Sequence, residues 1–273
     1  MGSVDGPLLS VESVELRFGT LKVLDRASFA LERGSLLGLI GPNGAGKTSL
    51  FNCISGLYRF DSGDIVLAGR SLARVRPDQL AGLGLARTFQ HPALFSGMSV
   101  LDQILLALDA RARSGWFAQA LGWPGSRAAA LDERRRAEAF LARFELSELA
   151  ARPVAMLSLA ERRRVEIARA LALEPTLLLL DEPAAGLDER EQGALARLLR
   201  GLREASGLSV ILIDHRMNWV RSVCDQLVAL QLGRVIASGP TEQVCTDPAV
   251  IDAYLGRAPE ARTRDFRTEG TTH

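Results

Sequence analysis

Lysine is almost missing from this chain: of its 33 lysines and arginines, only Lys22 and Lys47 are lysine. An excess of one charge sign is missing as well. The 33 basic and 32 acidic residues leave a formal net charge of +1, so no global field directs the chain to nucleic acid or an acidic membrane surface. Cysteine is scarce. Cys53, Cys224 and Cys245 have no metal-ligand spacing, and their odd number argues against a disulfide framework, so they read as buried free thiols. No apolar run is long enough to span a bilayer, and Met1–Ser10 lacks the basic-then-apolar plan of a secretory signal. The expectation is a cytosolic chain whose membrane contact comes through partners. What remains is ordinary for a soluble globular protein, with 47% hydrophobic and 24% charged residues over 273 positions. That length accommodates one large domain, or a core with a subdomain.

One of the two lysines sits in the most informative stretch of the chain. Gly41-Pro42-Asn43-Gly44-Ala45-Gly46-Lys47-Thr48 matches the phosphate-binding pattern G-x-x-x-x-G-K-[ST] without a gap. Ser35–Ile40 reads as a short buried strand before it, and Lys47–Ser55, with Ser49 in its first turn, reads as a helix after it. A strand, a glycine-rich loop and a helix N-terminus bring backbone N–H groups and the positive end of a helix dipole to one point. Such a point suits the β- and γ-phosphates of ATP or GTP. Lys47 is expected to reach the terminal phosphates and the Thr48 hydroxyl to ligate Mg²⁺. A compact ammonium on a flexible stem fits that task, and a planar guanidinium does not replace it. The bland alternative, a β-to-α turn with a chance lysine, is disfavoured by the flanks.

Val14, Leu16 and Phe18 alternate with polar residues, a turn follows at Gly19-Thr20, and Val23–Leu31 reads as a second, antiparallel strand. Asp64–Ala68 offers another strand. From Val100 to Ala151 the pattern turns helical, with an Ala/Arg/Glu-rich stretch Ala128–Phe144 and an interruption at Gly122-Trp123-Pro124-Gly125. Leu177–Leu180 and Leu208–Ile213 are continuous apolar runs, as expected of parallel strands buried on both faces. Leu227–Leu230 and Val235–Ser238, joined through Gly233, read as a late hairpin. Asp247-Pro248 opens a last helix that Gly256 can end, and Arg257–His273 reads as a loose tail.

The strand Leu177–Leu180 ends in Asp181-Glu182. Ligands of open α/β sheets bind at the carboxyl ends of strands, so both carboxylates are expected near the phosphate loop. Asp181 is expected to hold Mg²⁺ through water, and Glu182 to orient and polarise the attacking water. Alone, an Asp-Glu pair after an apolar strand reads as a solvated turn; the upstream phosphate loop changes that weighting.

Taken in order, Gln90, the segment Leu157–Leu171, Asp181-Glu182-Pro183 and His215 resemble the ATP-binding subunits of ABC transporters. The importers of the branched-chain amino-acid type are the nearer likeness. It rests on Arg17-Phe18-Gly19, Phe51-Asn52-Cys53, Arg87-Thr88-Phe89-Gln90-His91 and Arg163-Arg164-Val165-Glu166-Ile167-Ala168-Arg169, and further on Asp181 to Leu187 and on Ala253-Tyr254-Leu255-Gly256. The resemblance covers Leu8 to Gly256. It implies an α/β fold with a P-loop (RecA-like) parallel-sheet core, an N-terminal antiparallel β subdomain and an inserted α-helical subdomain. Residues 1–90 and 156–256 would form the ATP-binding core, 91–155 the helical subdomain and 257–273 a flexible tail.

The same resemblance implies roles. Phe18 stacks on adenine, although a plain strand-core phenylalanine is equally open. Gln90 senses Mg²⁺ and the lytic water and links the core to the helical subdomain. His215 contacts the γ-phosphate and steadies Glu182; it is one of three histidines. Asp188 meets the nucleotide of a second subunit, with a surface loop carboxylate as the open alternative. Ser158, Ala160 and Glu161 stand in the segment that caps the other subunit's ATP.

That segment departs from the family. Leu-Ser-Gly-Gly-Gln is usual, and here it is Leu157-Ser158-Leu159-Ala160-Glu161. If the replaced glycine needs positive φ, Ala160 costs roughly 1–2 kcal/mol; if φ is helical, only a methyl is added. Ser158-x-x-Glu161 is also a capping box before the helical run Arg162–Leu173. A weakened trans site is the competing expectation. A second departure is Asp214-His215-Arg216, where Glu-His-Asp is frequent.

The activity implied by the resemblance is that of an Mg²⁺-dependent ATPase subunit powering solute import. It would act at the cytoplasmic face of the inner or plasma membrane, held there by transmembrane permease subunits. A second ATPase subunit and an extracytoplasmic solute-binding protein complete the system, and no nucleic acid is expected. His91–Leu101, with Phe95 and Met98, is the candidate groove for the membrane subunits, with a plain core loop as the alternative. An exporter ATPase of the lipopolysaccharide kind, a soluble ABC ATPase and a weakly hydrolysing regulatory module are the rival functions.

Overall fold

The computed structural model describes residues 6–88, 94–114 and 127–255; Gln90, His91 and the tail expected over 257–273 lie outside them. The first hairpin forms as its alternation predicts, from β1 (Leu9–Phe18) and β2 (Leu21–Leu31) about the turn at Gly19-Thr20. The start of β1 departs from strict period two. Val11 and Val14 are both buried although three apart, because the strand bulges there and Ser13 takes φ 49°. β3 (Leu36–Ile40) and α1 (Lys47–Ile54) follow, then β4 (Ser62–Leu67) and the two-residue β5 (Arg70–Ser71). The first sheet is antiparallel, in the order β2-β1-β4-β5.

β6 (Leu85–Arg87) precedes the helices α2 (Val100–Ser114), α3 (Arg127–Arg143) and α4 (Leu159–Leu171). α4 opens three residues before the expected Arg162, because its cap is Ser158 and the turn Leu159–Glu161 is already helical. Next come β7 (Leu177–Asp181), α5 (Glu189–Ser206), β8 (Ser209–Ile213), α6 (Met217–Val223), the hairpin β9 (Gln226–Gln231) with β10 (Arg234–Pro240), α7 (Thr241–Thr246) and α8 (Pro248–Tyr254).

The second sheet runs β10-β9-β3-β8-β7-β6, with every neighbouring pair parallel except β9 and β10. Its central strands are buried on both faces, which is why they read as unbroken apolar runs. Leu37, Leu39, Leu179 and Ile211 face α1 and the antiparallel sheet, packing on Leu50, Phe51 and Val14. Leu36, Leu178, Leu180 and Leu212 belong to the opposite cluster, which continues through Ile104, Leu141 and Phe144 of α2 and α3 and the turn after them. β3, β8 and β7 are neighbours, so their carboxyl ends open side by side onto one crevice. Among the described residues, no helix is long and apolar enough to cross a membrane.

Candidate nucleotide site

The turn from β3 into α1 needs glycine. Gly41, Gly44 and Gly46 take φ 141°, 78° and 101°, values that side-chain-bearing residues rarely adopt. A Cβ on Gly46 would stand 2.9 Å from the Val23 carbonyl oxygen, and one on Gly41 would strike the Leu230 carbonyl. Gly46 is also the N-cap of α1 and offers no side-chain acceptor, so the helix presents its first N–H groups uncapped by a side chain. Lys47 folds back over the loop, its Nζ donating to the carbonyls of Gly41 at 2.7 Å and Pro42 at 2.9 Å. Burial pushes the ammonium pKa below its usual value, and the Glu182 charge opposes that shift.

Lys47, Thr48, Ser49, Glu182 and His215 line one cavity of about 370 Å³. β7 delivers Glu182 and β8 delivers His215, each just beyond its strand end. Glu182 takes φ 45°, a left-handed conformation that costs a non-glycine residue on the order of 1–3 kcal/mol and clusters at functional sites. Its N–H donates to the Ile213 carbonyl at 2.8 Å, which secures the strained residue to β8. His215 Nδ1 stands 4.0 Å from Glu182 Oε1, beyond hydrogen-bond reach.

Asp181 is buried and ion-paired, its Oδ2 lying 3.1 Å from Arg87 Nη2. Burial raises the Asp181 pKa above the ordinary range and the guanidinium works against that rise. Arg87 also donates to Asn52 Oδ1 at 2.7 Å and to Ser55 Oγ, and lies over the Phe51 ring. The strand end carrying Asp181 is thereby tied to the helix after the phosphate loop. Among the described residues, no cluster of three or more His, Cys, Asp or Glu could hold a metal alone. Mg²⁺ at phosphate sites usually keeps waters and substrate oxygens and takes only one or two protein groups. The Thr48 hydroxyl in the cavity and the Asp181 carboxylate at the end of β7 fit a donor set of that kind, although Asp181 is held by Arg87 and does not itself line the cavity.

A second cavity of about 390 Å³ gathers Ser158, Ala160, Glu161 and Asp188, and shares no residue with the first. The capping box at α4 is present: Glu161 N–H donates to Ser158 Oγ at 3.2 Å, and Ser158 N–H to Glu161 Oε2 at 2.7 Å. Ala160 lies in the first turn of α4 and is not among the positive-φ residues, so it adds a methyl without backbone strain. Asp188 heads α5 with the same reciprocal pattern, accepting from Glu191 N–H at 2.8 Å while Glu191 Oε2 accepts from Asp188 N–H at 3.0 Å. Phe18 is 49% exposed and meets Tyr58 edge-on at 5.3 Å, so it is a surface residue and not a core one. Gln90 lies outside the described residues.

The residues around His215 have definite partners. Asp214 is buried and its carboxylate accepts from the N–H groups of Ala184 at 3.3 Å and Arg216 at 3.0 Å, joining the loops after β7 and β8. Arg216 Nη1 donates to the Leu187 carbonyl at 3.2 Å, which Gln192 Nε2 also reaches at 2.8 Å. Arg216 therefore faces the loop that carries Asp188. Arg87, Asp214 and Tyr254 all lie within or beside family-like strings, yet spacing assigns them no role. Each has a partner far away in the chain: Asp181 for Arg87, Ala184 for Asp214 and Gly41 for Tyr254.

The chain is similar to known proteins over most of its length. Residues 24–185 match the ABC transporter family, and residues 234–260 match the family described as branched-chain amino acid ATP-binding cassette transporter. The chain is 39% identical over 252 residues to the high-affinity branched-chain amino acid transport ATP-binding protein LivG of Salmonella typhimurium, covering 92% of this chain and 99% of that protein. It is 36% identical over 252 residues to BraF of Pseudomonas aeruginosa, a protein of the same description, again covering 92% and 99%. Among solved structures, the ADP conformation of MJ1267, an ATP-binding cassette of an ABC transporter, superimposes with a TM-score of 0.79 at 29% identity, covering 92% of this chain and 100% of that one. With a phosphate loop, a strand-end carboxylate pair and a cassette fold matched over nearly its whole length, this chain belongs to the ABC transporter family and is one of its ATPases.

Proposed function

We propose that this ATPase drives the import of branched-chain amino acids, or of related amino acids and amides, with Mg²⁺·ATP as its fuel. The observation that carries the reading is the single cavity in which Lys47, Thr48, Glu182 and His215 meet at adjacent strand ends. Phosphoryl transfer asks little covalent chemistry of a protein and much positioned charge. The uncapped N–H groups of α1 and the Lys47 ammonium bind the β- and γ-phosphates. Thr48 and Asp181 would hold Mg²⁺, partly through water, and when bound the ion would supply neutralising charge to the phosphates. Glu182 orients and polarises the water, and His215 turns toward the γ-phosphate when nucleotide is bound.

The second cavity completes the site in trans. Two ATPase subunits, identical or paralogous, face each other so that Ser158, Ala160, Glu161 and Asp188 of one close on the nucleotide of the other. Phe18, exposed at the end of β1, stacks on adenine. Gln90 joins nucleotide state to the helical segment 91–155, against which permease subunits dock. Phe95 is 55% exposed and Met156 is 73% exposed, on turns joined by the Ala155 N–H to Ser96 carbonyl bond at 3.3 Å. Those apolar side chains suit a membrane subunit's cytoplasmic helix. The chain thus sits peripherally at the cytoplasmic face, and a solute-binding protein on the other side supplies the substrate.

Glu182→Gln tests the chemistry. The variant is expected to bind ATP with near-normal affinity, to lose most turnover, and to form an ATP-stabilised dimer in light scattering. Undiminished hydrolysis would remove Glu182 from its role. Affinity purification from native membranes tests the partners: polytopic membrane proteins with a second ATPase support import, whereas an export-type membrane subunit replaces it with the export reading.

A further inference from the structure

α8 is a seven-residue helix near the end of the described chain, and no part of the proposed chemistry uses it. Its last residue nevertheless reaches the nucleotide site. Tyr254 Oη accepts a hydrogen bond at 2.8 Å from the backbone N–H of Gly41, the first glycine of the phosphate loop, 213 residues away in sequence. The same hydroxyl donates toward Met217 Sδ at 3.7 Å. Met217 is the first residue of α6, two beyond His215. One phenol therefore bridges the two loops that flank the γ-phosphate position. Tyr254 is 42% exposed as a residue; partial burial of its phenol raises the pKa and the Gly41 bond opposes the rise, so the hydroxyl stays protonated at neutral pH and can accept and donate together.

Gly41 is held from three sides. Its N–H goes to Tyr254 and its carbonyl accepts from Lys47 Nζ at 2.7 Å. Its Cα lies against the Leu230 carbonyl too closely to admit a side chain. Lys47 has to share its three donors with phosphate once nucleotide binds, whereas the Tyr254 bond uses no donor of the ammonium. We infer that Tyr254 is a positioning residue, which fixes the first peptide of the phosphate loop before nucleotide arrives. Without the hydroxyl the loop has to be ordered at the moment of binding, and that ordering cost appears as weaker affinity. This assignment depends on the loop's ATP binding and not on the identity of the transported solute.

Tyr254→Phe in the full chain tests it, with two readouts beside the apo melting temperature. The first is the Kd for ATP. The second is amide exchange of Gly41, followed by NMR on glycine-labelled protein. Tyr254→Phe is expected to leave the apo melting temperature almost unmoved and to accelerate Gly41 exchange. It should also raise the Kd by about three- to tenfold, the range of one net hydrogen bond. Met217→Leu removes the hydroxyl's acceptor only, and should move both readouts the same way by less. Unchanged affinity with faster exchange overturns the inference, since the loop would then be ordered at no cost to binding. Weaker affinity with unchanged Gly41 exchange also overturns it, because the effect would not pass through that amide.

Discussion

Ala160 stands where the resemblance leads one to expect glycine, and its backbone shows what that replacement means for the fold. Glycine is required where φ is positive, as at Gly41 and Gly46; Ala160 is helical in the first turn of α4. Reinstating glycine therefore relieves no strain, and in a helix it adds chain entropy to the unfolded state. Ala160→Gly is expected to leave ATP turnover of the assembled transporter unchanged and to lower stability by at most roughly 0.5–1 kcal/mol. A clear rise in turnover in a steady-state assay would show that the methyl obstructs the trans site. Glu182 is the opposite case. There a side chain is kept at φ 45° despite the strain, which agrees with the proposed role of its carboxylate in the crevice. Sequence makes both positions visible, Ala160 as a departure and Glu182 as a strand-end acid. It gives neither backbone angle, since φ is set by the neighbouring strand and turn.

Elements are legible where burial is two-sided or where caps are local. The runs at β7 and β8 read as central strands because both their faces are buried. The Ser158-x-x-Glu161 box is local in sequence, and the structure contains it. The same signal opens the 18-residue α5 as Asp188-x-x-Glu191, although by itself Asp188 reads only as a loop carboxylate. β6 is hidden because three residues carry no period, and the first half of β1 because its bulge breaks the alternation. The cap gives Asp188 a structural function that can be separated from the one proposed in trans. Asn caps a helix about as well as Asp, and Ala does not. Asp188→Ala is expected to lower the stability of the isolated chain by about 1 kcal/mol, measured by urea denaturation. Asp188→Asn is expected to keep that stability and still reduce turnover of the paired ATPase. If both variants hydrolyse ATP normally, Asp188 is a cap and nothing more.

At the scale of the whole molecule, the decisive contacts join residues far apart in the chain, and periodicity carries no information about them. Arg87 and Asp181 are 94 positions apart. Together they fasten the edge strand β6, the strand β7 that ends in the carboxylate pair, and α1, through Asn52 and Ser55. Both side chains are 8% exposed, so removing one partner leaves the other desolvated. Arg87→Met is expected to destabilise the chain by about 3–5 kcal/mol at neutral pH, the usual cost of stranding one member of a buried pair. Its pH dependence has a definite sign. Burial already raises the Asp181 pKa above its ordinary 3.8, and Arg87 restrains that rise. Without Arg87 the folded state binds its proton still more tightly than the unfolded chain does. Stability of the variant should then fall as pH climbs from the unfolded pKa through the raised folded one, and level off above it. Below the unfolded pKa, Asp181 is neutral in both states and this part of the loss disappears. Adding Asp181→Asn should abolish that slope and recover much of the neutral-pH loss, as happens when both charges of a pair are removed. It should not recover turnover, because Asn brings no charge to Mg²⁺. Urea titrations of the parent chain and both variants between acid and neutral pH separate the two effects. A flat profile for Arg87→Met would mean that water reaches Asp181 once the guanidinium is gone, and that the pair does not hold the sheet to the nucleotide helix.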